Sequence, residues 1–180
     1  MSPLMRFPES TACSFTGHRP ERLGIRRDDA LSRRQLEERL WNEIVRLHRE
    51  EGVDHFFSGM ARGVDLWAAR LVLWLQKGSP SVTLHCILPC QEQDKGWPEA
   101  DSRLYHKILL EATEVVYLSD LPYTPGCMQA RNRYLVERAE TLLAVYDGAP
   151  GGGTAYTVDY AHRLRRRIVL LPPTEPPRPQ

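Results

Sequence analysis

The sequence has no apolar run long enough to cross a bilayer. Its most hydrophobic stretch, LVLWL at Leu71–Leu75, falls far short of the ~20 residues that a spanning helix needs. The first ten residues, MSPLMRFPES, lack the apolar core of a secretory signal. A cytoplasmic location with no membrane partner is therefore expected. Cysteine is sparse. Cys13, Cys86, Cys90 and Cys127 include no second pair at zinc-ribbon spacing. Cys13 and Cys86 fall inside apolar runs, where a reduced thiol serves as a small hydrophobe, so neither a disulfide nor a metal site is expected. Excess charge is also missing. A formal net charge of +1 is poorly suited to hold long nucleic acid by phosphate neutralisation alone. The G-x-G-x-x-G pattern of dinucleotide-binding turns does not occur, so no nicotinamide or flavin cofactor is indicated.

What is present is a regular alternation of two hydrophobic periods. Short, nearly continuous apolar runs lie at Thr11–Thr16, Asp54–Ser58, Val82–Leu88, Glu114–Ser119, Thr141–Tyr146 and Arg167–Leu171, as in strands buried on both faces. Between them, Leu36, Leu40, Ile44 and Leu47 form one helical stripe, and Val64, Ala68, Leu71 and Leu75 form another. Weaker helical patterns cover Ser102–Thr113, Met128–Glu140 and Thr154–Arg166. Strand alternating with helix about six times predicts an α/β fold: a mainly parallel sheet covered on both faces. A length of 180 residues suits one domain, drawn here over residues 11–171. Residues 1–10 are expected to be flexible. The tail PPTEPPRPQ, residues 172–180, is expected to be extended and loose.

In such a sheet, ligands bind beyond the carboxyl ends of the strands, near the point where strand order reverses. The loops that gather there carry the candidate site. TGHRPERLG supplies Thr16, Gly17, His18 and Arg19, a titratable ring beside a guanidinium suited to phosphate. SGMARGVD supplies Ser58, Gly59, Gly63 and Asp65. The glycines let backbone N–H groups face an anion, while an aspartate in a first helical turn is also an ordinary N-terminal residue. After the third strand, Trp97 is expected to cover the sheet edge rather than stack on a base. SDLPYTPGCMQARNRYLV brings Tyr123, Gly126, Arg131, Asn132 and Arg133 to the start of a helix, facing either a ligand or solvent. DGAPGGGTAYTVDYA supplies Asp147, Gly151, Gly152, Gly153 and Thr154. This glycine-rich entry to a helix serves either as a tight turn or as a phosphate cradle. A shared site for a phosphate-bearing small molecule explains the five loops together.

SGMARGVD resembles the corresponding segment of the DprA/Smf proteins. TGHRP, GCMQARNRYLV and DGAPGGGTAYTVDYA together resemble the YpsA-like branch of the SLOG superfamily, which also holds the LOG phosphoribohydrolases. The resemblance spans about Cys13 to Leu171. It implies a Rossmann-like three-layer fold of about six strands and a nucleotide or nucleotide-derived ligand such as ADP-ribose. It also implies a homodimer or higher homo-oligomer. The stripes near Trp41, Trp67 and Trp74 lend this some support, since the three rings cannot all face one core. LOG enzymes carry M-x-x-R-K on a helix and P-G-G-x-G-T-x-x-E at the glycine loop. Here Met128 to Arg131 match the first motif, with Asn132 in place of lysine. Pro150–Thr154 is one residue short of the second, and its glutamate position falls on Thr157. A threonine cannot act as a carboxylate. The first reading is thus a nucleotide binder, with a sensing role. The alternative is a nucleotide N-glycosidase, with Arg131, Asp65 and Asp159 as catalytic candidates. The further alternative is single-stranded DNA binding, using the basic cluster Arg163, Arg165, Arg166 and Arg167, although arginines at a helix end also complement its dipole.

Overall fold

The computed structural model describes residues 11–25 and 29–174. Six strands, β1 (Thr11–Gly17), β2 (Val53–Ser58), β3 (Thr83–Leu88), β4 (Glu114–Tyr117), β5 (Thr141–Val145) and β6 (Arg167–Leu171), form one sheet in the order β4-β3-β2-β1-β5-β6. Every neighbouring pair is parallel. Five helices connect them: α1 (Ala30–Glu51), α2 (Val64–Gly78), α3 (Glu99–Glu111), α4 (Cys127–Arg138) and α5 (Gly152–Arg163).

The expected helical stripes are the buried ones. Leu36, Leu40, Ile44 and Leu47 of α1, most of α2, and Tyr105 and Ile108 of α3 pack on Phe15, Phe56 and Leu84 of the sheet in the largest apolar cluster. On the other face, Leu135 of α4 and Ala139 at its C-cap meet Phe57 and Ile87, while Val158 and Ala161 of α5 meet Leu142 and Ala144. This is the parallel sheet covered on both faces that the alternation implied, in the three-layer Rossmann-like arrangement that the resemblance implied. The chain runs outward from β1 to β4, then crosses back to place β5 on the other side of β1. That reversal leaves a gap beyond the carboxyl ends of β1 and β5.

Element ends depart from the sequence expectation where local chemistry intervenes. The third helix starts at Glu99 because Pro98 occupies its N-cap position. The fifth stops at Arg163, and the chain then turns through a left-handed Arg165. The first starts at Ala30, ahead of its apolar stripe, where Asp29 accepts from the Ser32 N–H at 3.0 Å and caps it. Residues 1–10 and 175–180, expected to be flexible, lie outside the described residues. At the start of the tail, the carbonyls of Pro172 and Pro173 accept from Arg39 at 2.6 and 2.9 Å. All four cysteines are buried free thiols. Among the described residues no helix is long and apolar enough to cross a membrane.

Candidate functional site

A cleft of about 730 Å³ opens at the carboxyl ends of β1 and β5, where the strand order reverses. Its walls are built from loops that hold one another. Gly17 ends β1 with no side chain; a Cβ there would stand 2.5–2.7 Å from the side chain of Val64. The missing atom lets the first turn of α2 close onto the strand. His18 follows, buried, with Nε2 3.1 Å from the Asp147 carboxylate and its ring 5.6 Å from that of Tyr146. The loop after β1 is thereby tied to the loop after β5.

The glycine loop takes its shape from three left-handed positions, Gly148, Gly151 and Gly152, with φ of 82°, 86° and 86°. Side chains rarely adopt that region. Asp147 stabilises the turn by accepting from the Ala149 N–H at 2.9 Å. That bond, followed by the one to His18, holds its carboxyl below the ordinary carboxylate range. Arg22 reaches across to donate to the carbonyls of Gly151 and Pro150 at 2.9 and 3.3 Å. Helix α5 then begins with no side-chain cap. Its leading N–H groups, which cannot be paired within the helix, open on the cleft beside Gly153 and Thr154.

The floor comes from α4, which also starts without a side-chain cap, after a left-handed Gly126. One turn in, Arg131 is only 5% exposed. Its Nε donates to Asn132 Oδ1 at 2.8 Å, Nη1 donates to the Gly59 carbonyl, and Nη2 contacts Met128 Sδ at 4.0 Å. A Cβ on Gly59 would collide with the guanidinium. Among the described residues no carboxylate forms an ion pair with Arg131. Burial pushes its pKa below the ordinary arginine value, and the more distant charge of Asp65 opposes this. Asp65, in the first turn of α2 and 6% exposed, faces the same cleft.

Thr16, Gly17, His18, Arg19, Asp65, Arg131, Asn132, Gly152, Gly153 and Thr154 thus line one cleft. The other candidates do not. Gly59 lies beneath Arg131, while Asp147 and Gly151 shape the rim. The Ser58 hydroxyl is buried, donating to the Asp65 carbonyl at 3.0 Å and accepting from the Met60 N–H at 3.1 Å. Gly63 makes the left-handed turn into α2 against Pro20. Asp159 is exposed on α5, away from the lining. Thr157 is fully buried, and its hydroxyl donates to the Gly153 carbonyl at 2.7 Å. Sequence reasoning did not single out Glu21, Arg22 and Tyr156, which also line the cleft. Arg22 stands one helical turn after Arg19 in the same loop, and that spacing was the available signal.

Residues 13–168 match the YspA SLOG family. The chain belongs to that family. A UPF0398 protein of Halalkalibacterium halodurans is 31% identical over 155 residues, spanning 86% of this chain and 82% of the relative. The UPF0398 protein YpsA of Bacillus subtilis is 27% identical over 155 residues, 86% of each chain. Among solved structures, DNA processing protein A of Helicobacter pylori, described for its single-stranded DNA binding mode, superposes with a TM-score of 0.59 at 19% identity. That match covers 90% of this chain and 65% of the other. DprA of Streptococcus pneumoniae gives 0.58 at 19% identity and is covered over 51% of its length. At such identity the likeness is one of fold.

In this member of the SLOG family, the basic cluster at the end of α5 is largely committed to the fold. Arg166 donates to the carbonyls of Val136 and Glu137, both at 3.1 Å, and Arg167 is paired with Glu51. Arg163 stacks over Tyr160. Trp97 meets Tyr105 edge-on at 5.4 Å and packs against the core, the covering position expected of it.

Proposed function

We propose that the cleft binds a nucleotide or nucleotide-derived small molecule, with its phosphate between the start of α5 and the Arg131 side chain, in a binding or sensing role. The observation that carries this reading is Arg131: a buried guanidinium on the cleft floor, bonded to neutral acceptors and, among the described residues, paired with no carboxylate. Burying an unpaired charge costs several kcal/mol, and an anion in the cleft offsets that cost. Uncapped helix starts and Arg19 favour the same sign of charge. The volume falls within the usual range for small-molecule sites, roughly 300–1,000 Å³.

A thermal-shift and calorimetric screen with AMP, ADP, ADP-ribose and cyclic dinucleotides tests the reading. Ligand at 100 times its Kd should stabilise the fold by roughly 2.7 kcal/mol. Gly153→Val is the cleanest companion variant. Gly153 has ordinary helical geometry, and a Cβ there meets only Asn132 Nδ2 at 3.5 Å, so the added atoms enter the cleft without straining the backbone. Absence of any nucleotide response, or full affinity in Gly153→Val, would sink the proposal.

Glycosidic cleavage is the competing reading, and its support is thin. Among the described residues, the carboxylates on the cleft lining are Glu21 and Asp65, and Glu21 is paired with Arg62 at 2.8 Å. Steady adenine release from AMP that disappears in Arg131→Ala would favour the enzyme. Affinity for single-stranded DNA falling steeply with salt would favour the DNA reading. Self-association belongs to the same proposal. Trp74 and Leu31 are 52% and 66% exposed, and light scattering that shows only monomer at high concentration would remove that part.

A further inference from the structure

The cleft that we read as an anion site contains one group of the wrong sign. Asp65 is more than nine-tenths buried and lines the cleft. Its Oδ2 accepts from the Ala61 N–H at 3.3 Å, and among the described residues its carboxylate has no other hydrogen bond and no ion pair. An ionised carboxylate offers about four acceptor positions, so most of its capacity is unused. A nearby donor is turned elsewhere: the Ser58 hydroxyl bonds to the Asp65 backbone carbonyl. Burial pushes its pKa up to about 6, against the lowering effect of Arg131 and the Ala61 bond. Glu21, the other carboxylate on the lining, is mostly exposed and already paired with Arg62.

An acceptor of this kind repels phosphate and favours a ligand's O–H donors. Arg131 and Asp65 together call for a ligand with an anionic part and a hydroxyl-bearing part, held side by side. A ribose phosphate has both, and its adjacent hydroxyls match the two oxygens of a carboxylate. We infer that Asp65 is a specificity-determining residue that accepts hydrogen bonds from the sugar hydroxyls, restricting the site to ribonucleotides over 2′-deoxyribonucleotides. This rests on the nucleotide reading above and narrows its substrate class.

The test compares AMP with 2′-deoxy-AMP, and ribose 5-phosphate with 2-deoxyribose 5-phosphate, by calorimetry. The wild type should favour the hydroxylated partner in each pair by about 10- to 100-fold, the range for a hydrogen bond to a charged group. In Asp65→Ala the preference should shrink to about twofold, chiefly through weaker binding of the hydroxylated ligand. Asp65→Asn keeps the size and the acceptor for Ala61, and it guards against a folding artefact; it should lower the preference to about threefold or less. Equal binding of both partners by the wild type would overturn the role of Asp65 while leaving the anion site standing. So would a preference that survives both substitutions. Tighter binding of deoxyribonucleotides or short single-stranded DNA would also overturn it and favour nucleic acid. No response to any of the four ligands would remove both this inference and the nucleotide reading.

Discussion

Two largely buried arginines near the carboxyl edge of the sheet are treated in opposite ways. Arg62, in the loop before α2, is held by Glu21 at 2.8 Å and Asp101 at 2.9 Å. Burial works against its charge, but the carboxylates of Asp101 and Glu21 win and hold its pKa above the ordinary value. Arg131, on α4, is more deeply buried and among the described residues has only neutral acceptors. For it, burial wins and the pKa falls. A paired cation links the loop after β1 to α3 and serves the fold. An unpaired one beside an open cleft raises the energy of the empty site, and in the proposed reading a bound anion lowers it again. The difference lies in the partners, since the side chains are identical.

The largest expected effect comes from placing a buried charge where no cleft can use it. Thr157 is fully buried, so Thr157→Glu should destabilise the fold by about 3–5 kcal/mol, the range for an uncompensated buried charge. The LOG pattern alone would have this change restore a catalytic carboxylate. A urea midpoint equal to that of the wild type would mean that position 157 reaches the cleft, which breaks the account of α5. Next comes Arg131→Ala. It should cost about 1.5–3 kcal/mol of nucleotide affinity while leaving stability unchanged or improved. A change in affinity below about 0.5 kcal/mol would place Arg131 with the structural arginines.

Asp65 makes the comparison depend on pH. Its folded pKa is raised from 3.8 to about 6, so between those values the folded state holds more protons than the unfolded state. Stability should therefore fall as pH rises through that window and level off above it. Asp65→Asn removes the dependence. It should be more stable than the wild type by about 3 kcal/mol at pH 8 and no more stable near pH 3, by thermal melts at both values. Equal melting temperatures at pH 8 would show that Asp65 has a partner in the empty protein. The smallest effect is expected from Arg62→Ala, about 1 kcal/mol of stability, with nucleotide affinity within about threefold. A large affinity loss there would erase the distinction between the two arginines.

Much of this molecule was legible from hydrophobic period alone. Six short apolar runs became six strands and the α1 and α2 stripes became buried faces, because period depends only on local geometry. The loops that line the cleft were legible too, since topology sends every strand-to-helix loop of a parallel sheet to one edge. What the loops do individually was not. Arg131 and Arg133 stand two residues apart at the start of one helix. Residues at that spacing point to different sides, and only packing against Gly59 decides that Arg131 is buried while Arg133 is exposed, bonded to the Tyr156 hydroxyl at 3.0 Å.

The carboxylates divide in the same way. Asp65 and Asp159 looked equivalent as candidates, yet one faces the cleft and the other faces solvent. Thr157, placed by motif spacing at a catalytic position, turns into the core. The sequence by itself determined the elements, their order, the edge where the candidate groups gather and the family. The tertiary structure alone decided which charges on that edge are paired and which are left open. Pairing depends on distances between residues far apart in the chain, such as Arg62 with Asp101 or His18 with Asp147, and no local pattern encodes those distances.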